Sequence, residues 1–179
     1  MSQVHLRLVE DCAKPCSDNC NCSVKPDCAG PIEQEMKHHF SLLHDLCNQL
    51  EEIADALPEN VDGQKLLTIA RRIFPTIKTA HYFEEMRIFP HIRVEAEAET
   101  DLFHSLERLQ YEHWEDESFA EEVSDGLIRF VSDTDQPNPD TLAYMLRGFF
   151  EGLRRHIAFE SEHILPLLRR HELGQQPAV

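Results

Sequence analysis

No stretch of this chain approaches the roughly eighteen consecutive apolar residues that a membrane-spanning helix requires. The opening MSQVHLRLVEDC lacks the apolar block of a secretory signal, so the expectation is a cytoplasmic protein with no membrane partner. Glycine is scarce, at six residues in 179, and the ten prolines are scattered, which excludes collagen-like and low-complexity chains. Positive charge is also scarce. Seventeen basic against 33 acidic residues leave a formal net charge of −16, which would repel a phosphate backbone and argues against a nucleic-acid partner. Convincing runs of alternating apolar and polar residues are missing too, so nothing argues for strands.

What is present suits one folded domain: 41% hydrophobic residues in a chain of single-domain length. Five of the six cysteines, Cys12, Cys16, Cys20, Cys22 and Cys28, crowd into residues 1–30 with Pro15, Pro26 and Gly30. No periodicity accompanies them, and the segment reads as an irregular cysteine-rich leader. In a reducing compartment such spacing is a poor disulfide framework; a thiolate site for a second metal, or a reducible tail, are the two readings it allows.

Helical periodicity starts at Pro31. Apolar residues and histidine recur in steps of three and four at Ile32, Met36, His39, Leu43, Leu46, Leu50, Ile53 and Leu57, until Pro58 stops the pattern. A second stripe runs Leu66, Ala70, Ile73, Ile77, His81, Glu85 and Ile88, with a kink expected at Pro75 and a kink or stop at Pro90. A third, opened by Thr100, runs Leu102, Leu106, Leu109, His113, Glu117, Ala120, Val123 and Leu127. Asn138 as cap and Pro139 open the fourth: Leu142, Met145, Phe149, Leu153, His156, Glu160, His163 and Leu167. Four such helices joined by short loops predict an all-α, up-down-up-down four-helix bundle over residues 31–173, followed by a tail at 174–179.

Each stripe carries a histidine, and counting residues tests whether the four meet. From His39 to Leu57 is about 18 residues and from Gln64 to His81 about 17; from His81 to Val94 and from Thr100 to His113 are about 13 each; from His113 to Val131 is about 18 and from Pro139 to His156 about 17. Antiparallel helices rising about 1.5 Å per residue therefore bring all four to one layer. Glu85, Glu117 and Glu160 follow three of them by one turn on the same face. Buried carboxylates cost several kcal/mol, about 1–5 each, unless a cation or hydrogen bonds compensate. Imidazoles mixed with carboxylates suit iron, manganese or zinc, and bridging acids make two metals plausible.

An internal echo bears on which carboxylate serves. HYFEEMRIFPHI from His81 and HIAFESEHILPLL from His156 both place His-x-x-x-Glu ahead of an apolar residue and a proline, but the proline lies one residue closer to the histidine in the first copy, which makes Glu84 a rival to Glu85. Glu117 is open to ligation, a water-mediated bond or an outward orientation. His163, one turn beyond Glu160, is open to being a ligand, a partner that orients Glu160, or a hydrogen-bonded core residue. Tyr82, Phe83, Trp114 and Phe159 are read as packing residues.

A histidine in helix one, His-x-x-x-Glu in helix two, a histidine in helix three and His-x-x-x-Glu in helix four, in that order over about residues 31–171, resemble the hemerythrin-like HHE cation-binding family. The resemblance implies a non-haem, usually di-iron, centre with an oxo or hydroxo bridge, held by His39, His81, Glu85, His113, His156 and Glu160, with Glu85 and Glu160 bridging. O2, NO or a related small oxidant is the implied partner. Oxygen-carrying members have a second histidine one turn after the helix-three ligand, where this chain has Glu117, a departure that argues against simple oxygen carriage. The intervals and the cysteine leader also resemble di-iron proteins that repair iron-sulfur centres, which implies an iron-sulfur protein as an alternative partner. A structural bundle with incidental metal affinity is the third reading.

Overall fold

The computed structural model describes residues 31–96, 100–132 and 136–174, so the cysteine leader and the last five residues lie outside the described part. All regular structure within it is helical: α1 (Pro31–Ala56), α2 (Gly63–Phe83), a π-helical turn (Glu84–Ile88), α3 (Phe89–Ala96), α4 (Thr100–Val131) and α5 (Pro139–Gly174). The α2, π and α3 segments follow one another without a gap and make up the second rod of a four-helix bundle. Asp62 starts this rod by accepting from the N–H groups of Gln64 and Lys65, and Asn138 starts α5 by accepting from Asp140 and Thr141.

Paired side chains define the directions. Glu33 meets Arg169, Glu51 meets Arg154 and Asp55 meets Arg147, so α1 and α5 run antiparallel. Lys78 meets Glu117, Glu85 meets His113 and Arg93 meets Gln110, so the second rod and α4 do likewise. These two pairs pack most extensively; the seams between α1 and α2 and between α4 and α5 are more sparsely packed.

Leu50, Ile53, Leu66, Ile73, Val123, Leu127, Leu142 and Leu146 close one end of the bundle as an apolar core. Each fully buried aliphatic side chain there contributes about 1.5–3 kcal/mol relative to exposure. At the other end Glu33 is buried and receives Arg169 through Nε at 3.1 Å and Nη2 at 2.6 Å, with Lys37 at 2.8 Å. These partners hold its carboxyl below the usual range, the Arg169 hydrogen bond being the largest influence.

The α-helix continues through Pro75, and a departure from α-geometry comes at Glu84–Ile88, just ahead of Pro90, where the Phe89 N–H bonds to the Glu84 carbonyl five residues back. Pro90 follows at once and has no N–H to return to Met86, which favours a changed ladder at this point.

Candidate metal centre

His81 on α2, His113 on α4 and His156 on α5 meet between three rods. Their rings lie nearly parallel, with centroids 4.0 Å apart for His81–His113, 5.2 Å for His113–His156 and 5.7 Å for His81–His156. Glu84 from the π turn and Glu160 from α5 complete the cluster. One donor atom from each of Glu84, His113, His156 and Glu160 lies within 4.8 Å of all the others, and the three histidines satisfy the same condition among themselves. All five residues are buried.

Each imidazole is held from behind by a carboxylate. His81 Nδ1 is 3.3 Å from Glu117 Oε1, His113 Nδ1 is 2.9 Å from Glu85 Oε1, and His156 Nδ1 is 2.9 Å from Asp116 Oδ2. Since a carboxylate can only accept here, these contacts favour the proton on Nδ1 and leave Nε2 for the centre. Glu117 is itself fixed by Lys78, 2.6 Å away.

The inward atoms are unsatisfied. Both carboxylate oxygens of Glu84, Nε2 of His113 and of His156, and Oε1 of Glu160 are buried with no hydrogen-bond partner. His113 Nε2 lies 3.1 Å from Glu84 Oε2 and His156 Nε2 3.5 Å from Glu160 Oε1, without the angles of hydrogen bonds. Protonation is correspondingly disturbed. Burial pushes His81 down to about 2, assisted by the positive charges of His113 and His156. Burial would lower His113 too, but the facing carboxylates of Glu160 and Glu84 outweigh it and raise it to about 10; for His156, Asp116 and Glu160 outweigh burial and raise it to about 11. Burial and then the charge of Glu160 raise Glu84, whereas burial of Glu160 is outweighed by its two imidazole neighbours, which lower it.

A cluster of buried nitrogen and oxygen donors that face one another without forming hydrogen bonds is unfavourable for a protein alone, at about 1–3 kcal/mol for each unsatisfied group, and a cation would meet those demands together. The donor chemistry fits iron, manganese or zinc. Cys47 takes no part: it is buried on α1, its thiol faces the Phe150 carbonyl at 3.7 Å, and burial pushes it up to about 12.

Several expectations are redistributed. Glu84, the rival, occupies the inward position, and Glu85 backs His113 instead; the π turn carries Glu84 inward and leaves Glu85 partly exposed beside α4. Aligning the two sequence copies on their prolines pairs Glu84 with Glu160, six residues before Pro90 and Pro166, and is the signal that favours this outcome. His39 reaches the layer but not the cluster. Its half-buried ring lies against Phe83, centroids 4.8 Å apart, because the buried line of α1 is Met36, Phe40, Leu43 and Cys47.

His163 is exposed beside Phe159, since the inward line of α5 continues through Ile164 and Leu168. Glu117 neither points outward nor lies among the clustered donors; it joins His81 to Lys78. Tyr82, Trp114 and Phe159 are 63%, 61% and 38% exposed, which corrects their reading as packing residues; Phe83 is buried. Asp116 was not foreseen, although its spacing of three from His113 beside Glu117 put an acid on each flank of that histidine.

Residues 31–168 match the family model described as the hemerythrin HHE cation binding domain. Neither the curated proteins nor the solved structures contain a match to the chain.

Proposed function

Since the chain belongs to the hemerythrin HHE cation-binding domain family, we propose that it is a non-haem iron protein that binds or senses a small oxidant such as O2 or NO, or handles iron. The observation that carries this reading is the set of inward, partnerless atoms on Glu84, His113, His156 and Glu160, with His81 beside them. These five residues would hold the metal, and a second iron with an oxo or hydroxo bridge would draw on both carboxylates. Bound iron supplies a change of oxidation state and an affinity for diatomic ligands.

The chain's own residues prepare for that chemistry. Glu117, Glu85 and Asp116 hold the three imidazoles through Nδ1, and the buried apolar residues Ile77, Ile88, Phe89, Leu109 and Leu153 flank the cluster along the same rods. Such pre-orientation lowers the cost of assembling the site on metal uptake.

Metal analysis joined to anaerobic and aerobic absorption spectra tests the reading. The expected result is about two irons per chain, as in the family's usual di-iron site, with an absorption band that responds to O2 or NO. Metal content unchanged by His81→Ala together with His156→Ala would refute it.

A second reading, repair of iron-sulfur centres, rests on the intervals between the ligand candidates and on the five leader cysteines. Restoration of an inactivated iron-sulfur enzyme by sub-stoichiometric protein, lost when those cysteines become serine, is its distinguishing result. The structural-bundle reading is disfavoured by the unsatisfied buried donors, which a purely structural core would not retain without cost.

A further inference from the structure

The sparsely packed seam between α4 and α5 contains a cavity of about 560 Å³, within the size range of small-molecule sites. Its walls include Leu109, Asp116, Gly152, Arg155, His156 and Phe159. Glu84, His113 and Glu160 do not line it. The cavity thus meets the metal centre from behind, at the 2.9 Å contact between Asp116 and His156 Nδ1.

Following each charge around the walls leaves two groups without an ion-pair partner, the Glu115 carboxylate and one cation. Arg108 is paired with Glu112 at 2.7 Å, Asp116 is taken by His156, and Glu115 lies beside the Tyr111 hydroxyl. Arg155 has no ion-pair partner among the described residues. An exposed guanidinium with no ion-pair partner, at the wall of a seam, stands out on a chain of net charge −16, and its planar fork matches a carboxylate. Phe159, 38% exposed, offers apolar surface nearby, while Leu109 lies buried beneath the cavity. Gly152 keeps the wall open, for a Cβ built there meets nothing nearer than Arg155 Nη2 at 3.9 Å.

We propose that the α4–α5 seam binds a small molecule with one carboxylate and an apolar body, the carboxylate on Arg155 and the body against Phe159, and that its presence is transmitted to the metal centre through Asp116 and His156. The binding half stands by itself; the transmission half rests on the reading of the centre given above.

Calorimetric titration of the full metal-free chain with acetate, hexanoate and benzoate tests the binding half, with benzamide as the uncharged counterpart of benzoate. Hexanoate and benzoate are expected to saturate at one per chain, with acetate and benzamide at least about tenfold weaker. Arg155→Gln should weaken benzoate by about tenfold, Arg155→Lys by less, and Gly152→Leu should abolish binding by filling the cavity while helical content and melting stay those of the parent. Equal affinity for benzoate and benzamide, no effect of Arg155→Gln, or no binding of any carboxylate overturns the proposal.

For transmission, benzoate is added to the cobalt(II)-loaded chain and the visible band followed. A shift that disappears in Asp116→Asn supports it, and bound benzoate with an unmoved band overturns it. A chain that takes up no cobalt contradicts the reading of the centre and the transmission with it, whereas calorimetry on the metal-free chain still decides the binding half.

Discussion

The two ends of this bundle use the same four rods for opposite purposes. At the end closed by Leu50, Leu66, Leu127 and Leu142, the buried side chains are apolar except Ser124, whose hydroxyl donates to the Ala120 carbonyl. At the other end, the same helices bury His81, Glu84, His113, His156 and Glu160 with several polar atoms left over. The first end is complete without help. The second leaves buried polar atoms that a cation could satisfy, so the difference separates a finished core from a group of residues able to hold a metal.

The largest expected effect lies in the apolar end. Leu127→Ala, at a fully buried position, should cost about 2–5 kcal/mol in denaturant unfolding while metal uptake per folded chain stays unchanged. Loss of metal from the folded variant would show the ends to be coupled and break the contrast.

A substitution at the polar end should act with the opposite sign. Glu84→Met removes a buried, unsatisfied carboxyl and fills similar space, so the metal-free chain should gain about 1–3 kcal/mol while metal content falls sharply. Thermal unfolding of metal-free parent and variant checks this, and a destabilised variant would mean that Glu84 supports the fold unaided.

Asp116→Asn sharpens the comparison further, because it touches the centre only through His156. Metal affinity should weaken by roughly ten- to a hundredfold in a chelator competition, with little change in metal-free melting.

The smallest effect is a pH dependence at Glu33. Its pKa in the folded chain is below the ordinary 4.5, so its contribution to stability is fully present above that value and is lost as pH falls through the lowered one. Glu33→Gln should flatten the acid limb of the stability profile in the metal-free chain.

The rods themselves were legible in the sequence because steps of three and four persist over long stretches, and the helix starts at Pro31, Thr100 and Pro139 carry their own signals. Counting residues also brought His81, His113 and His156 to one level. Height was readable where direction was not. On an α-helix a stripe traced in steps of three and a half drifts by about 20° per heptad, enough to turn His163 outward and to leave His39 beside Phe83. The choice of Glu84 over Glu85 depends on a local π turn, which an ideal helical wheel does not contain, although the proline spacing hinted at it. Asp116 was hidden for another reason: an acid flanking an inward histidine looks like any other residue of a solvated face.

Trp114, the chain's single tryptophan, stands beside His113 in sequence, exposed on the outer surface and 5.8 Å from the Tyr111 ring. Indole emission is sensitive to charge and to nearby paramagnetic ions, and no second indole competes with it here. The chain thus carries its own optical gauge, able to follow occupancy of the interior by fluorescence without a label.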